Sequence, residues 1–198
     1  MEQDKEEAKG KAAGVKRIIR GVTGFLRKKE RVLDKDAIES ILPHRENKLL
    51  LDRVVVTANK VSGEFTVTEE VCRGHQFNGQ LIFRGIDVVE MAAQLLGVWA
   101  AQYPEFEGKL AYFRSIQGEV RFIGKVIPSD LLVVEIPVRE ERLEEGGVDE
   151  NPRIEIRGRP GRLIQRVIGE NFIARVNKKT KATISHIELI IIESESLT

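Results

Sequence analysis

A single cysteine, Cys72, stands in the whole chain, so no intramolecular disulfide can form and a cysteine-based metal site is excluded. The three histidines, His44, His75 and His186, are scattered and make no metal-ligand constellation. No glycine-rich phosphate loop is found either. An excess of one charge is also missing. The net charge is +1, which removes any global electrostatic case for nucleic acid or for a strongly acidic partner. No uninterrupted apolar stretch approaches the ~18 residues of a membrane span, and the opening MEQDKEEAKGK is too charged for a signal peptide. A reducing, cytoplasmic setting is the expectation by default.

Material for a core is nonetheless there: 41% of the 198 residues are apolar and 32% charged, which suits one domain with an appendage. The appendage is residues 1–33. Val15, Ile18, Ile19, Val22, Phe25 and Leu26 recur at helical spacing among Lys11, Lys16, Arg17, Arg20, Arg27, Lys28, Lys29 and Arg31. That pattern predicts a basic amphipathic helix, weakened by Gly14, Gly21 and Gly24 at up to ~1 kcal/mol each relative to alanine. Such a helix could lie on a membrane surface through residues 11–31 or dock an acidic partner. The plainer reading, which we favour, packs its apolar stripe on its own domain or oligomer.

Residues 34–198 read as one α+β domain. Asp34 or Asp36 can cap a short helix over Ala37–Leu42 that Pro43 ends. Strand patterns follow at Leu49–Val56 and Gly63–Val71, then a loop over Cys72–Arg84 with Gly74 and Gly79 as breakers. The next stretch, IDVVEMAAQLLGVWAAQ (86–102), is apolar almost all the way round, so as a helix it must be buried on nearly every side. Further strands are expected at 111–117, 119–123 and 131–138, with a turn at Pro128-Ser129-Asp130. A charged insertion of low hydrophobicity near 139–161 reads as a loop, and strand signals return at 163–168, 172–176 and 183–192. One greasy helix between strands needs walls on all faces, which a curved antiparallel sheet wrapped around it supplies.

Several blocks, in order, resemble one family. ILPHRENKLLLDRV (41–54), RGHQFNGQLIFRGIDVVEMAAQ (73–94), YFRSIQGEVRFIGKVIPSD (112–130) and KATISHIEL near the end are similar to stretches of FabZ-type 3-hydroxyacyl-acyl-carrier-protein dehydratases, members of the FabA/FabZ-like hotdog family. The resemblance runs from about Asp36 to Ile192, interrupted by the insertion. It implies the hotdog fold, to which residues 1–33 add the N-terminal helical extension read above, and a homodimer whose sheets join edge to edge, with a trimer of dimers also open. It implies dehydration of 3-hydroxyacyl thioesters, on acyl carrier protein or CoA, to trans-2-enoyl thioesters in fatty-acid metabolism. No cofactor is implied, and the basic appendage or nearby arginines could receive the acidic carrier protein. Residue by residue, His75 corresponds to the family's catalytic histidine and Glu90 to its catalytic glutamate, facing each other across the dimer. Gly85 matches the glycine whose N–H polarises the thioester carbonyl, and Gln94 matches a glutamine on the same helical face. Arg84, Phe77 and Phe83 are candidate substrate or carrier contacts.

These residue types suit the chemistry. An imidazole is the natural base near neutrality. A carboxyl buried on an apolar helix is expected to have its pKa raised and serve as the acid. A helix start at Gly85 offers free N–H groups to an enolate-like oxygen. The sequence departs from the family in the same place: the run His75-Gln76-Phe77-Asn78-Gly79 carries one extra residue and no proline, Arg84 replaces a proline, and Asp87 an apolar residue. A loosened loop opens other readings, a non-catalytic acyl-thioester-binding hotdog or an acyl thioesterase. The plainer roles are a structural hydrogen bond for His75, a salt bridge from Glu90 to Arg73 or Arg84, and helix-dipole complementarity for Asp87. His44 and Arg45 are expected to shape their turn, and His186 to be structural.

Overall fold

The computed structural model describes residues 17–18, 30–103, 106, 108–142, 148–159 and 162–193. After strands β1 (Arg17–Ile18) and β2 (Arg31–Leu33), helix α1 (Lys35–Ile41) starts on Asp34, whose carboxylate accepts the Ala37 N–H. A 3₁₀ turn at Glu46–Lys48 leads to β3 (Arg53–Val56) and β4 (Lys60–Thr66). A short helix α2 (Glu69–Cys72), capped by Thr68, occupies the end of what the alternation suggests is strand. Then come β5 (Gln76–Phe77), β6 (Gln80–Leu81) and the long helix α3 (Gly85–Ala100). The remainder is β7 (Lys109–Phe122), β8 (Leu131–Pro137), β9 (Arg139–Arg142), β10 (Val148–Asn151), β11 (Arg153–Arg159), β12 (Arg162–Val176) and β13 (Lys179–Glu193).

Nine of these strands form one antiparallel sheet around α3, ordered β1-β11-β12-β8-β4-β3-β2, with β13 joining β12 to β7. This is the hotdog arrangement, and the helix pattern explains it. From Asp87 through Ala100 every residue is buried except Glu90. Leu95 and Leu96 have no exposed surface, and they meet Val134, Ile136, Ile187 and Leu189 of the strands within a single core. Truncating a side chain such as Leu95 to alanine costs roughly 2–5 kcal/mol. The sheet approaches the helix closely at Gly63 of β4, where a Cβ would lie 2.5 Å from Leu51 and 3.2 Å from Leu95.

Three expectations change. Pairs of strands read as separate are continuous: β7 runs through Gly118 (φ +75°) and β12 through Asn171 (φ +58°) as irregularities, not breaks. The described part of the insertion is strand rather than loop. β9 and β10 form a hairpin, and β11 pairs with β12 from Arg153↔Ile168 to Arg159↔Arg162. A ladder is made of backbone groups, so it tolerates charged side chains that pair, as Arg153 does with Glu155 and Glu170, both at 3.1 Å. Where β12 gives up β11 and takes β8, Asn151 fills the fork. Its amide donates to Pro137 O and Glu170 O, and its carbonyl accepts the Glu170 N–H. Finally, Arg17–Ile18, inside the segment expected as a basic helix, pair with Ile156 and Glu155 as strand. The rest of residues 1–29 lies outside the described residues. No helix among the described residues is long and apolar enough to cross a membrane.

Candidate functional site

The segment from Cys72 to Arg84, expected as a loop, contains a short hairpin. Gln76 pairs with Leu81 and Phe77 with Gln80, and Asn78 (φ +49°) and Gly79 (φ +75°) make the two-residue turn between them. Asn-Gly with both φ values positive is the turn whose twist matches a hairpin, so the dipeptide carries the extra residue without slack. Its signal was in the sequence, between two short strands that are too brief to show alternation. His75 sits at the hairpin base. Its N–H donates to Cys72 O, its carbonyl accepts the Ile82 N–H, and its ring Nδ1 lies 2.8 Å from Ile82 O. A carbonyl only accepts, so Nδ1 carries the proton in that contact and Nε2 is left as the basic nitrogen.

Phe83, buried against Phe65, donates its N–H to Val126 O, and the chain then turns into α3 at Arg84. No side chain caps this helix. Among the described residues neither the Gly85 nor the Ile86 N–H has a partner, which leaves two donors at the positive end of the helix. A Cβ there would lie 2.8 Å from the Phe122 ring, so a larger residue would have to displace that half-exposed ring. His75, Phe83 and Gly85 line one cavity of about 510 Å³, walled by Val88, Phe122, Ile123 and Val126 and flanked by Lys125 and Lys181. Phe77 lies outside it, exposed, with the Lys125 ammonium 5.4 Å from its ring centroid.

Glu90 opens elsewhere. It lines a second cavity of about 560 Å³ with His44, Lys48, Arg73, Arg84, Asp87 and Ile86, the last of which borders both cavities. Within one chain, base and acid therefore occupy different hollows on either side of the start of α3. Glu90 Oε1 accepts from Gln94 Nε2 at 3.0 Å and lies 3.1 Å from His44 Nε2. Gln94, 2% exposed, is locked by the chain around it: its carbonyl accepts the Leu50 N–H and its amide donates to Lys48 O as well as to Glu90. Glu90's carboxyl is not raised, as burial on an apolar helix suggests, but lowered. The His44 hydrogen bond holds it down, outweighing the upward push of burial, and Gln94 adds to the lowering.

His44 is the residue the pattern understated. Arg45 does brace the turn, its guanidinium donating to Leu42 O and His44 O, and this braced turn aims the His44 ring at Glu90. Neither Arg73 nor Arg84 is Glu90's partner. Arg84 forks onto Asp87 instead, Nε to Oδ2 at 2.8 Å and Nη2 to Oδ1 at 2.7 Å. The Arg84 guanidinium and the Asp87 charge hold each other, and burial, then the Asp87 charge, push the Cys72 thiol up. His186 lies 3.5 Å from Glu170, outside both cavities. A third hollow, around Lys60, Glu135 and Arg175, shares no residue with either. Among the described residues no group of three or more His, Cys, Asp or Glu could hold a metal ion.

A sheet curled around one buried helix, with a single half-exposed acid on that helix and an imidazole beside its first amides, defines a hotdog protein with a polar site at the helix start. Within that class the chain belongs to the FabA-like family, whose domain matches residues 42–149. It is 38% identical over 113 residues to the 3-hydroxyacyl-(acyl-carrier-protein) dehydratase FabZ of Enterococcus faecalis, covering 55% of this chain and 79% of that one. Against FabZ of Geobacter metallireducens the identity is 39% over 113 residues, 54% of this chain and 74% of the relative. Among solved structures, the dehydratase heterocomplex ApeI:P from Xenorhabdus doucetiae shares the fold at 17% identity and a TM-score of 0.53, over 81% of this chain and 93% of that one.

Proposed function

We propose that the chain dehydrates 3-hydroxyacyl thioesters, presented on acyl carrier protein, to trans-2-enoyl thioesters in fatty-acid metabolism. The observation that carries this reading is the cavity shared by His75 and Gly85, with Glu90 as the one unburied position of α3 from Asp87 through Ala100. His75 Nε2 takes the proton from Cα, and the developing charge on the thioester oxygen is met by the Gly85 N–H. The Cβ–O bond then breaks, the double bond forms between Cα and Cβ, and Glu90 of a second chain gives its proton to the departing hydroxyl, which leaves as water. His75 ends protonated and Glu90 ionised, so the pair resets by returning one proton from base to acid through solvent. Arrival of an acyl chain excludes water around Glu90 and pushes its carboxyl in the direction that burial already does, towards the protonated acid.

A homodimer completes the site in this reading. Among the described residues β7 pairs only with β13, so its other edge is open over Lys109–Phe122, and Phe113 and Phe122 on it are 47% and 55% exposed. A long open edge carrying aromatic side chains favours pairing with a second copy. Lys125 and Lys181, which have no ion-pair partner among the described residues, suit the negative charge of the carrier and its arm. The setting this implies is the cytoplasm.

The test is subunit complementation. Purified wild-type protein given 3-hydroxyacyl-carrier substrates is expected to raise the enoyl-thioester absorbance without releasing free thiol. His75→Ala and Glu90→Gln homodimers are each expected to lose activity by about 10²–10⁴-fold. Mixing the two in equal amounts and allowing exchange regenerates one intact site per mixed dimer, about a quarter of the wild-type sites by random pairing. Free thiol instead of enoyl product would show a thioesterase, and saturable binding with no turnover would show an acyl-binding protein. Mixed variants that stay inactive while exchanging subunits rule out the shared site.

A further inference from the structure

We propose that Arg84 and Asp87 form a positioning clamp that holds the Arg84–Gly85 peptide, and with it the Gly85 N–H, in the orientation the reaction uses. The inference rests on the dehydratase reading of Gly85, and extends it to two residues that touch neither the base nor the acid. The bonds close a small ring. The Asp87 N–H donates to Arg84 O at 3.0 Å, and the Arg84 guanidinium returns to both carboxylate oxygens of Asp87. The carbonyl that accepts from Asp87 belongs to the same peptide whose other side is the Gly85 N–H. An accepted hydrogen bond at the oxygen polarises that peptide and strengthens the donor on its nitrogen.

The need for a clamp follows from what else is missing. The helix has no side-chain cap, and Gly85 itself brings no Cβ to restrict its backbone. Only Arg84, at φ −69° and ψ 141°, sets the entry angle of the chain. Proline imposes that φ by its ring alone. Arginine does not, and here a two-point tether to the first turn supplies the restraint. Asp87 is 8% exposed, so removing Arg84 leaves a buried carboxylate without its partner as well as a freer peptide. With Arg84 present, its positive charge also offsets the Asp87 charge, which would otherwise oppose an oxyanion at Gly85.

The clamp is tested in the full chain by Arg84→Ala, Asp87→Asn, Arg84→Lys and the double variant Arg84→Pro/Asp87→Val. Each single removal is expected to lower kcat about tenfold or more with KM changed less than about threefold, a loss confined to the chemical step. Arg84→Lys, which keeps the charge but not the fork, is expected to recover only part of it. The proline double variant restores kcat to within a few fold, because the ring replaces the tether and no carboxylate is left unpaired. Amide ¹⁵N relaxation of Gly85 reads the clamp independently of turnover. Its order parameter is expected to fall in Arg84→Ala, which also melts lower because the buried Asp87 carboxylate loses its partner, and both are expected to recover in the proline variant. If wild type turns nothing over, the dehydratase reading fails and the relaxation arm alone decides the clamp. A Gly85 amide as rigid in Arg84→Ala as in wild type overturns it. So does a folded proline variant as slow as the single variants, or Arg84→Ala with wild-type kcat, the result expected if Asp87 only complements the helix dipole.

Discussion

The two hollows beside the start of α3 are built by opposite means. The His75–Gly85 side is secured by backbone: hairpin pairs, His75 N–H to Cys72 O, Ile82 N–H to His75 O, Phe83 N–H to Val126 O, and a ring nitrogen on a carbonyl. The Glu90 side is secured by side chains, His44 and Gln94, and is lined by the Arg84–Asp87 fork, a side-chain device that reaches back to the Gly85 peptide. Backbone ladders resist substitution, because most side chains can hang on them. Side-chain networks fail when a single member goes, because a buried partner is then left unpaired. Departures from the family pattern fall on both sides, and each is compensated by the means its side already uses. An Asn-Gly hairpin absorbs the extra residue, and an ion pair stands in for a proline.

That contrast can be broken experimentally. The largest effect is expected from His75→Ala, a loss of about 10²–10⁴ in kcat with little change in the unfolding midpoint, since its side chain is exposed. Gln94→Leu should follow. It strands the Leu50 N–H in the interior, takes the donor from Lys48 O and frees Glu90, so chemical denaturation should show a loss of about 1–3 kcal/mol alongside lower activity. If Gln94→Leu loses activity at unchanged stability, the amide serves Glu90 alone and not the chain around it.

His44→Ala should leave the fold intact and move a titration. With the hydrogen bond gone, burial is the dominant influence left and the Glu90 carboxyl rises, visible by ¹³C NMR of the carboxylate. The same depression sets the pH dependence of stability. Glu90 titrates lower in the folded chain than in the unfolded one, so it contributes stability above the unfolded value of roughly 4.3 and loses it as pH falls through the folded value. The stability gap between wild type and Glu90→Gln should therefore shrink below about pH 4. It should also be small, since the Glu90 side chain is 40% exposed. The smallest effect is expected on the backbone side. Gly79→Ala strains one αL position at the hairpin tip and should cost about 1 kcal/mol, with activity largely retained. A large loss of activity there would mean that the hairpin positions His75 more delicately than its base contacts suggest.

Much of this was legible beforehand where a pattern is long and local. Seventeen residues apolar almost all round can only be a buried helix, and the acid in their midst, Glu90, stood out from the sequence, beyond Asp87 in the first turn. The hairpin was harder, because two-residue strands carry no period and only Asn78-Gly79 marks them. The insertion misled for a different reason: β9, β10 and β11 are held by backbone pairing, with the Arg153–Glu155 charge pair on β11, so their composition resembles a solvated loop.

From its sequence alone the protein had its buried helix, its lone central acid, its imidazole and its glycine, because residue type and spacing report burial and chemistry directly. Tertiary structure decided which groups meet. His44 and Glu90 are 46 positions apart and share a hydrogen bond, while His75 and Glu90, only 15 apart, face separate cavities in the same chain. Sequence distance says nothing of such meetings, since the sheet folds back over the helix and brings together whatever its turns happen to carry.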